Sequence, residues 1–202
     1  RETRLGIIYF AAICNLQFAI CNIGFSQATR LWATYYGGTG DEPALGSYGP
    51  AVITDASGNI YVAGTTSSTV GIASGGFDNA IGGSQDAFLV KFNPAGSRQW
   101  ATYYGGAGEE SGYDVATDAS GNVYLAGITN STAAVASGGF DNVLGGVDDA
   151  FVVKFNSAGV RQWATYYGGP GSEGTSSGMF TGYNSCGVTT DGSGNVLLAG
   201  HT

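Results

Sequence analysis

Residues 100–106 read WATYYGG, and the same seven residues stand at 32–38 and again at 163–169. A second block, TDASGN, occupies 54–59 and 117–122 and returns as TDGSGN at 190–195. Two motifs recurring in the same order mark a unit of about 65 residues repeated along the chain, the signature of an architecture built from equivalent supersecondary modules. Asp55 lies 45 residues before Trp100, and Asp118 lies 45 residues before Trp163. From Gly37 to Asp55, from Gly105 to Asp118 and from Gly168 to Asp191 the distances are instead 18, 13 and 23 residues. All variation in length therefore falls between YYGG and the next strand, and a segment that absorbs insertions is a solvent-exposed loop.

Within the second unit the pattern predicts four strands, over residues 113–117, 123–129, 150–155 and 162–167. The first two are joined by the tight turn DASGN and the last two by NSAG, which demands antiparallel pairing. Between the second and third strands runs a loop of about 20 residues, long enough to be functional or locally folded; its GGFDN core stands at 75–79 and 138–142. Strands such as AFLVKF and NIYVAG are apolar on both faces, so each sheet has to be covered on both sides. Radial stacking of four-stranded sheets meets that requirement and limits exposed edges. The expected fold is all-β: propeller blades of four antiparallel strands in an incomplete ring. Residues 31–38 would form an orphan outer strand, about 50–104 a first blade, about 113–167 a second, and about 186–202 part of a third. Closed rings take about four to eight blades, so the reading also predicts further C-terminal blades of the same chain.

WATYYGG, TDASGNIYVAGTT and DAFLVKFNPAG together resemble the bacterial β-propeller repeat family known as SBBP repeats, over nearly all of residues 31–202. The resemblance implies a secreted or cell-surface propeller, often within a larger chain. It brings no catalytic residues with it. The third unit departs from the pattern, because GSEGTSSGMFTGYNSCG lengthens its variable loop.

The composition agrees. There are 36 Gly against 4 Pro, with 12% aromatic and only 11% charged residues, which suits tight turns between short apolar strands. The glycines follow no three-residue period, which excludes collagen. Residues 1–28 begin RETR, continue through LGIIYFAAIC and end in SQA, the order of a secretory signal cleaved before Thr29. A spanning helix over residues 5–25 would have the length, but Asn15, Gln17 and Asn22 interrupt it. Cys14 and Cys21 each follow Ile, where a lipoprotein site wants a small residue. Removing the signal leaves 29–202 as the repeat region, with Cys186 as its one cysteine and no disulfide framework. The net charge of −8 disfavours nucleic acid and anionic membrane surfaces as partners.

Acidic residues gather on the predicted long loops. GGTGDE, GGAGEE and GGPGSE align Glu42, Glu110 and Glu173, with Asp41, Glu109 and Ser172 beside them. The other long loop adds Asp78 and Asp141, then Asp86 and Asp149. Carboxylates on glycine-rich loops suit calcium, which takes six to eight oxygens. The competing reading is that they cap turns and bond nearby amides. Asp55, Asp118 and Asp191 are read as turn formers, with Gly58, Gly121 and Gly194 supplying positive φ. His201 is the single histidine and aligns with strand residues Thr65 and Ile128, which leaves no partner for triad or multi-histidine metal chemistry. Cys186 reads as a buried small side chain. Trp100, Tyr103, Tyr104, Trp163, Tyr166 and Tyr167 read as packing between blades.

The expected function is therefore a non-catalytic module, exported to the cell surface, that binds a glycan or a protein through long loops on one face. The alternatives are a secreted propeller enzyme (lyase, glycosidase or quinoprotein-like dehydrogenase) with its site in other blades, and a spacer within a large adhesin. Catalysis would break the repeat symmetry, and the non-repeating polar residues are few, chiefly His201, Asn184 and Asp148.

Overall fold

The repeated hairpins are set by one aspartate each. Asp118 Oδ1 accepts the amides of Ser120 and Asn122, both at 2.9 Å, while Oδ2 accepts Asn122 Nδ2 at 2.7 Å and the Tyr124 hydroxyl at 2.9 Å. Asp55 makes the same four bonds with Ser57, Asn59 and Tyr61. The turn closes through the Gly121 amide on the Asp118 carbonyl, with Gly121 at φ 78°, a left-handed conformation that only glycine adopts without cost.

The computed structural model describes residues 31–42, 50–171 and 186–200, and among them it contains strands and no helix. The first sheet is formed in chain order by β1 (Ala51–Thr54), β2 (Ile60–Thr66), β3 (Asp86–Phe92) and β4 (Arg98–Tyr104). The second repeats it with β5 (Glu110–Thr117), β6 (Val123–Thr129), β7 (Asp149–Phe155) and β8 (Arg161–Tyr167). All pairings are antiparallel, and the registers superpose: Ala87 faces Tyr104 as Ala150 faces Tyr167. β9 (Gly187–Thr190) and β10 (Val196–Ala199) form a third hairpin equivalent to the first two strands of a sheet. The described residues form no closed ring.

The sheets stack face to face. Tyr61, Leu89 and Tyr104 of the first sheet share a buried core with Val115, Leu125, Phe151 and Phe155 of the second. Tyr124 and Val152 of the second pack in turn with Val188 of β9, and Trp163 and Leu198 lie against that cluster. This is why β3, β6 and β7 are buried on both faces. The second sheet begins at Glu110, three residues before the predicted 113, because a bulge between Gly112 and Asp114 lets β5 continue pairing with β6 to Thr129.

Residues 31–38, expected as an orphan outer strand, pair with no strand. No third strand of their own sheet stands beside them among the described residues, so the backbone has no ladder to join. Their side chains nevertheless dock as β4 does one sheet later. Tyr36 lies 5.6 Å from Phe88 and 5.8 Å from Phe92 between ring centroids, and its hydroxyl donates to Ile72 O at 2.7 Å. The N-terminal residues 1–28 lie outside the described residues.

Candidate functional site

The turns after β1, β3, β5 and β7 are short, and the long connections lie at the opposite strand ends. The loop from β2 to β3 is locally folded. Its first half runs along the outer edge of β4: Ser74 and Ala101 exchange both backbone hydrogen bonds at 2.9 Å, and the Tyr103 amide donates to Asp78 O at 3.1 Å. Asp78 N donates to Thr102 Oγ1 at 2.7 Å. The loop from β6 to β7 covers β8 identically, through Ser137 with Ala164 and Asp141 with Tyr166 and Thr165. GGFDN is thus an edge cap that occupies the hydrogen-bonding groups of the outer strand.

The end of the β2–β3 loop and the start of the β6–β7 loop are both pinned to the connection that enters the second sheet. Glu110 N donates to Gln85 O at 2.9 Å, Ser84 Oγ to Glu109 Oε1 at 2.9 Å, and Gly108 N to Ser131 Oγ at 2.8 Å. Glu109 N donates to Asn130 Oδ1 at 2.7 Å. The long-loop face is therefore stitched across the junction between sheets.

The aligned acids divide in two. Glu110, Asp86 and Asp149, expected on exposed loops, are buried. Glu110 accepts Gly106 N at 2.8 Å and Thr129 Oγ1 at 2.5 Å; Asp86 accepts the amides of Gly82 at 3.0 Å and Gly83 at 3.2 Å; Asp149 accepts Gly145 N at 2.8 Å. Half-buried Glu42 repeats the Glu110 pattern with Gly38 N, Thr66 Oγ1 and Ser68 Oγ. Asp78 and Asp141 cap their own loops by accepting Ala80 N and Val143 N. Asp41 and Glu109 are exposed, and Glu173 lies outside the described residues. Among the described residues no three His, Cys, Asp or Glu side chains converge on a point where a metal ion could sit. The signal for burial was present in the repeat: the glutamate of GGxGxE recurs in all three copies while its neighbour varies between Asp41, Glu109 and Ser172.

Burial pushes the Cys186 thiol up to about 12, with Asp114 nearby adding to the shift, so the thiolate that a nucleophile needs is suppressed. His201 and Asn184 lie outside the described residues. Trp100 and Tyr104 are buried between the sheets, and Tyr103 and Tyr166 are tied to the Ser68 and Ser131 carbonyls. Tyr167 stands exposed.

Some outward-facing loop positions differ between the copies, while others, such as Phe77 with Phe140 and Asn79 with Asn142, are the same. Ala80 and Ser84 of the first loop become Val143 and Val147 of the second, and all four positions are exposed. The residues that pin the loops, Ser74 with Ser137, Asp78 with Asp141 and Asp86 with Asp149, are the same in both.

No curated protein matches the chain. Residues 99–132 match a family model described as the SBBP beta-propeller repeat. The matched stretch runs from β4 through β5 and β6, so it spans the junction at which one sheet hands over to the next. Residues 99–132 are thus similar to the SBBP beta-propeller repeat, and the four-stranded antiparallel sheets stacked face to face agree with that similarity.

Proposed function

We propose that this propeller module is exported to the cell surface and binds a glycan or a protein there through its long-loop face, without catalysing a reaction. The observation that carries the reading is that the loops are held by the same pins in both copies while exposed Ala80 and Ser84 give way to Val143 and Val147. A surface pinned by backbone hydrogen bonds loses little entropy on engaging a ligand, and exchange at a few exposed positions varies its chemistry without disturbing the fold. Export is supported by the order of residues 1–28, a basic start, an apolar run and small residues before Thr29.

The test is direct. The chain is screened against arrays of cell-surface polysaccharides and surface proteins, and any ligand is re-measured with Val143→Glu/Val147→Glu. The variant is expected to weaken binding about tenfold while melting as the parent does. Absence of any ligand would leave the module as a spacer, and turnover of an array glycan would make it an enzyme. For export, N-terminal sequencing of protein recovered outside the cell is expected to start at Thr29.

A further inference from the structure

The β2–β3 loop and the connection from β4 to β5 cross where the first sheet hands over to the second, and two glycine runs make the crossing. A Cβ on Gly82 would run into the Gly106 carbonyl, and one on Gly83 into that of Gly108, so the two backbones touch where no side chain could stand between them. Each segment is held by an acid of its own. Asp86 accepts the amides of Gly82 and Gly83 at 3.0 and 3.2 Å, while Glu110 accepts the Gly106 amide at 2.8 Å and Thr129 Oγ1 at 2.5 Å. Both acids are buried. Their carboxyl groups meet at Gly105, where a Cβ would lie 2.8 Å from Asp86 Oδ1 and would collide with Glu110 Oε2.

Two negative charges brought together out of water repel strongly, and one proton between them turns the repulsion into a charge-assisted hydrogen bond. We infer that the crossing is a proton-operated clasp: with one proton on the Asp86 and Glu110 pair the loop and the connection are held together, and with none they part. The same arrangement begins at the next crossing. There Asp149 accepts Gly145 N at 2.8 Å and Val147 N donates to Gly171 O at 3.0 Å. Its glutamate, Glu173, lies outside the described residues.

The groups around the pair set the direction in which the clasp works. The loop contributes Asp78, and the connection contributes Glu109, which is exposed and accepts Ser84 Oγ. The tyrosines that feel the pair, Tyr103 and Tyr104 of β4 and Tyr166 of β8, are pushed up by burial and stay neutral. Burial raises the Asp86 carboxyl to about 6 against the pull of the Gly82 and Gly83 amides, and the charges of Glu110 and Asp78 raise it further. The clasp is therefore closed in acid and opens as pH rises through about 6. Exposed Ala80 and Ser84 flank the clasped glycines, so opening shifts the outward positions of the long-loop face. The clasp stands whether or not that face binds a ligand.

Amide hydrogen exchange of the intact chain is followed by NMR at Gly82, Gly83 and Gly106, at about pH 5 and about pH 8, each rate divided by that of an unstructured peptide at the same pH. Protection is expected to fall about tenfold across this range. The Gly58 and Gly121 amides, which close their own turns, should not follow. In Asp86→Asn the side-chain amide donates to Glu110 as the proton would, and protection at Gly82 and Gly106 should no longer depend on pH. Glu110→Gln removes the other charge, and Gly82 should again lose its dependence. The carboxyl carbons of the parent give a reading that needs no variant: those of Asp86 and Glu110 should both move in the step near pH 6. Equal protection at the two pH values, a pH dependence that survives both substitutions, or a Glu110 carbon indifferent to that step overturns the clasp.

Discussion

The carboxyl groups of Asp86, opening β3, and Glu110, opening β5, crowd the same glycine: a Cβ on Gly105 would collide with Glu110 Oε2 and lie 2.7 Å from Asp86 Cγ. Two acids from different sheets thus share one buried junction. Burial pushes the Asp86 carboxyl up to about 6; the amides of Gly82 and Gly83 oppose the shift, and the charges of Glu110 and Asp78 add to it.

A carboxyl raised in the folded state binds its proton more tightly there than in the unfolded chain. Its contribution is therefore fully present below the ordinary aspartate value and is lost as pH rises through about 6. Relative to Asp86→Asn, the parent should lose thermal midpoint between about pH 4 and about pH 7. Paired melts of parent and variant across that window measure it, and a constant difference would show that the junction does not hold the proton.

The turn aspartates behave oppositely. Burial pushes the Asp118 carboxyl up, but the bonds from Asn122, Tyr124 and Ser120 outweigh it and hold the carboxyl below its ordinary value. Its stabilisation is present above the ordinary value and lost as pH falls through the folded one. Asp118→Ala should cost about 1–3 kcal/mol in urea unfolding at neutral pH, and the deficit should shrink in acid. Lys154 lies 4.0 Å from Asp118 and adds little at that distance.

The edge cap makes a prediction about glycine. A Cβ on Gly76 would stand 2.6 Å from Ala101 O and 2.7 Å from Thr102 Cβ, so Gly76→Ala must lift the loop from β4. A loss of about 1–3 kcal/mol is expected, together with faster aggregation by light scattering, since β4 is then an open edge. Gly192 is the control. Nothing lies within 4 Å of its Cβ position, and the other two turns carry Ala56 and Ala119 there. Gly192→Ala should be neutral or slightly stabilising.

The strands, their order and the stacking of sheets were legible because period, turn and apolarity agreed. DASGN and NSAG fix hairpins locally, and strands apolar on both faces require neighbours on both sides. The fate of Glu110 and Asp86 was not legible from local composition. A carboxylate after glycines reads as solvated, and only the folded connections, which bring the Gly106, Gly82 and Gly83 amides and the Thr129 hydroxyl onto these acids, make burial tolerable. The edge cap was equally hidden: GGFDN has no strand pattern, and its pairing with β4 depends on a backbone that approaches closely only where Gly76 stands. Residues 32–36 illustrate the limit from the other side, since WATYY forms a strand only where a third strand such as β3 lies beside it.

One residue of the second long loop works against the fold. Ala134 is held at φ 72°, the only non-glycine residue with positive φ among the described residues, and the first loop places Gly71, at φ 94°, in the same position. An alanine in this left-handed region costs about 1–2 kcal/mol. Two bonds explain why the conformation persists: Arg161 Nη1 donates to Ala134 O at 3.1 Å, and the Tyr104 hydroxyl donates to the next carbonyl, Val135 O. Ala134→Gly removes the strain, keeps both carbonyls in place and gives back part of the gain through a freer unfolded chain. The variant should be more stable by about 0.5–1 kcal/mol, read as a higher urea midpoint at unchanged slope. The reverse change should cost more than this returns, because a Cβ on Gly71 would stand 3.0 Å from Gly38 Cα. If Ala134→Gly lowers the midpoint instead, the alanine methyl contributes packing that outweighs its backbone strain.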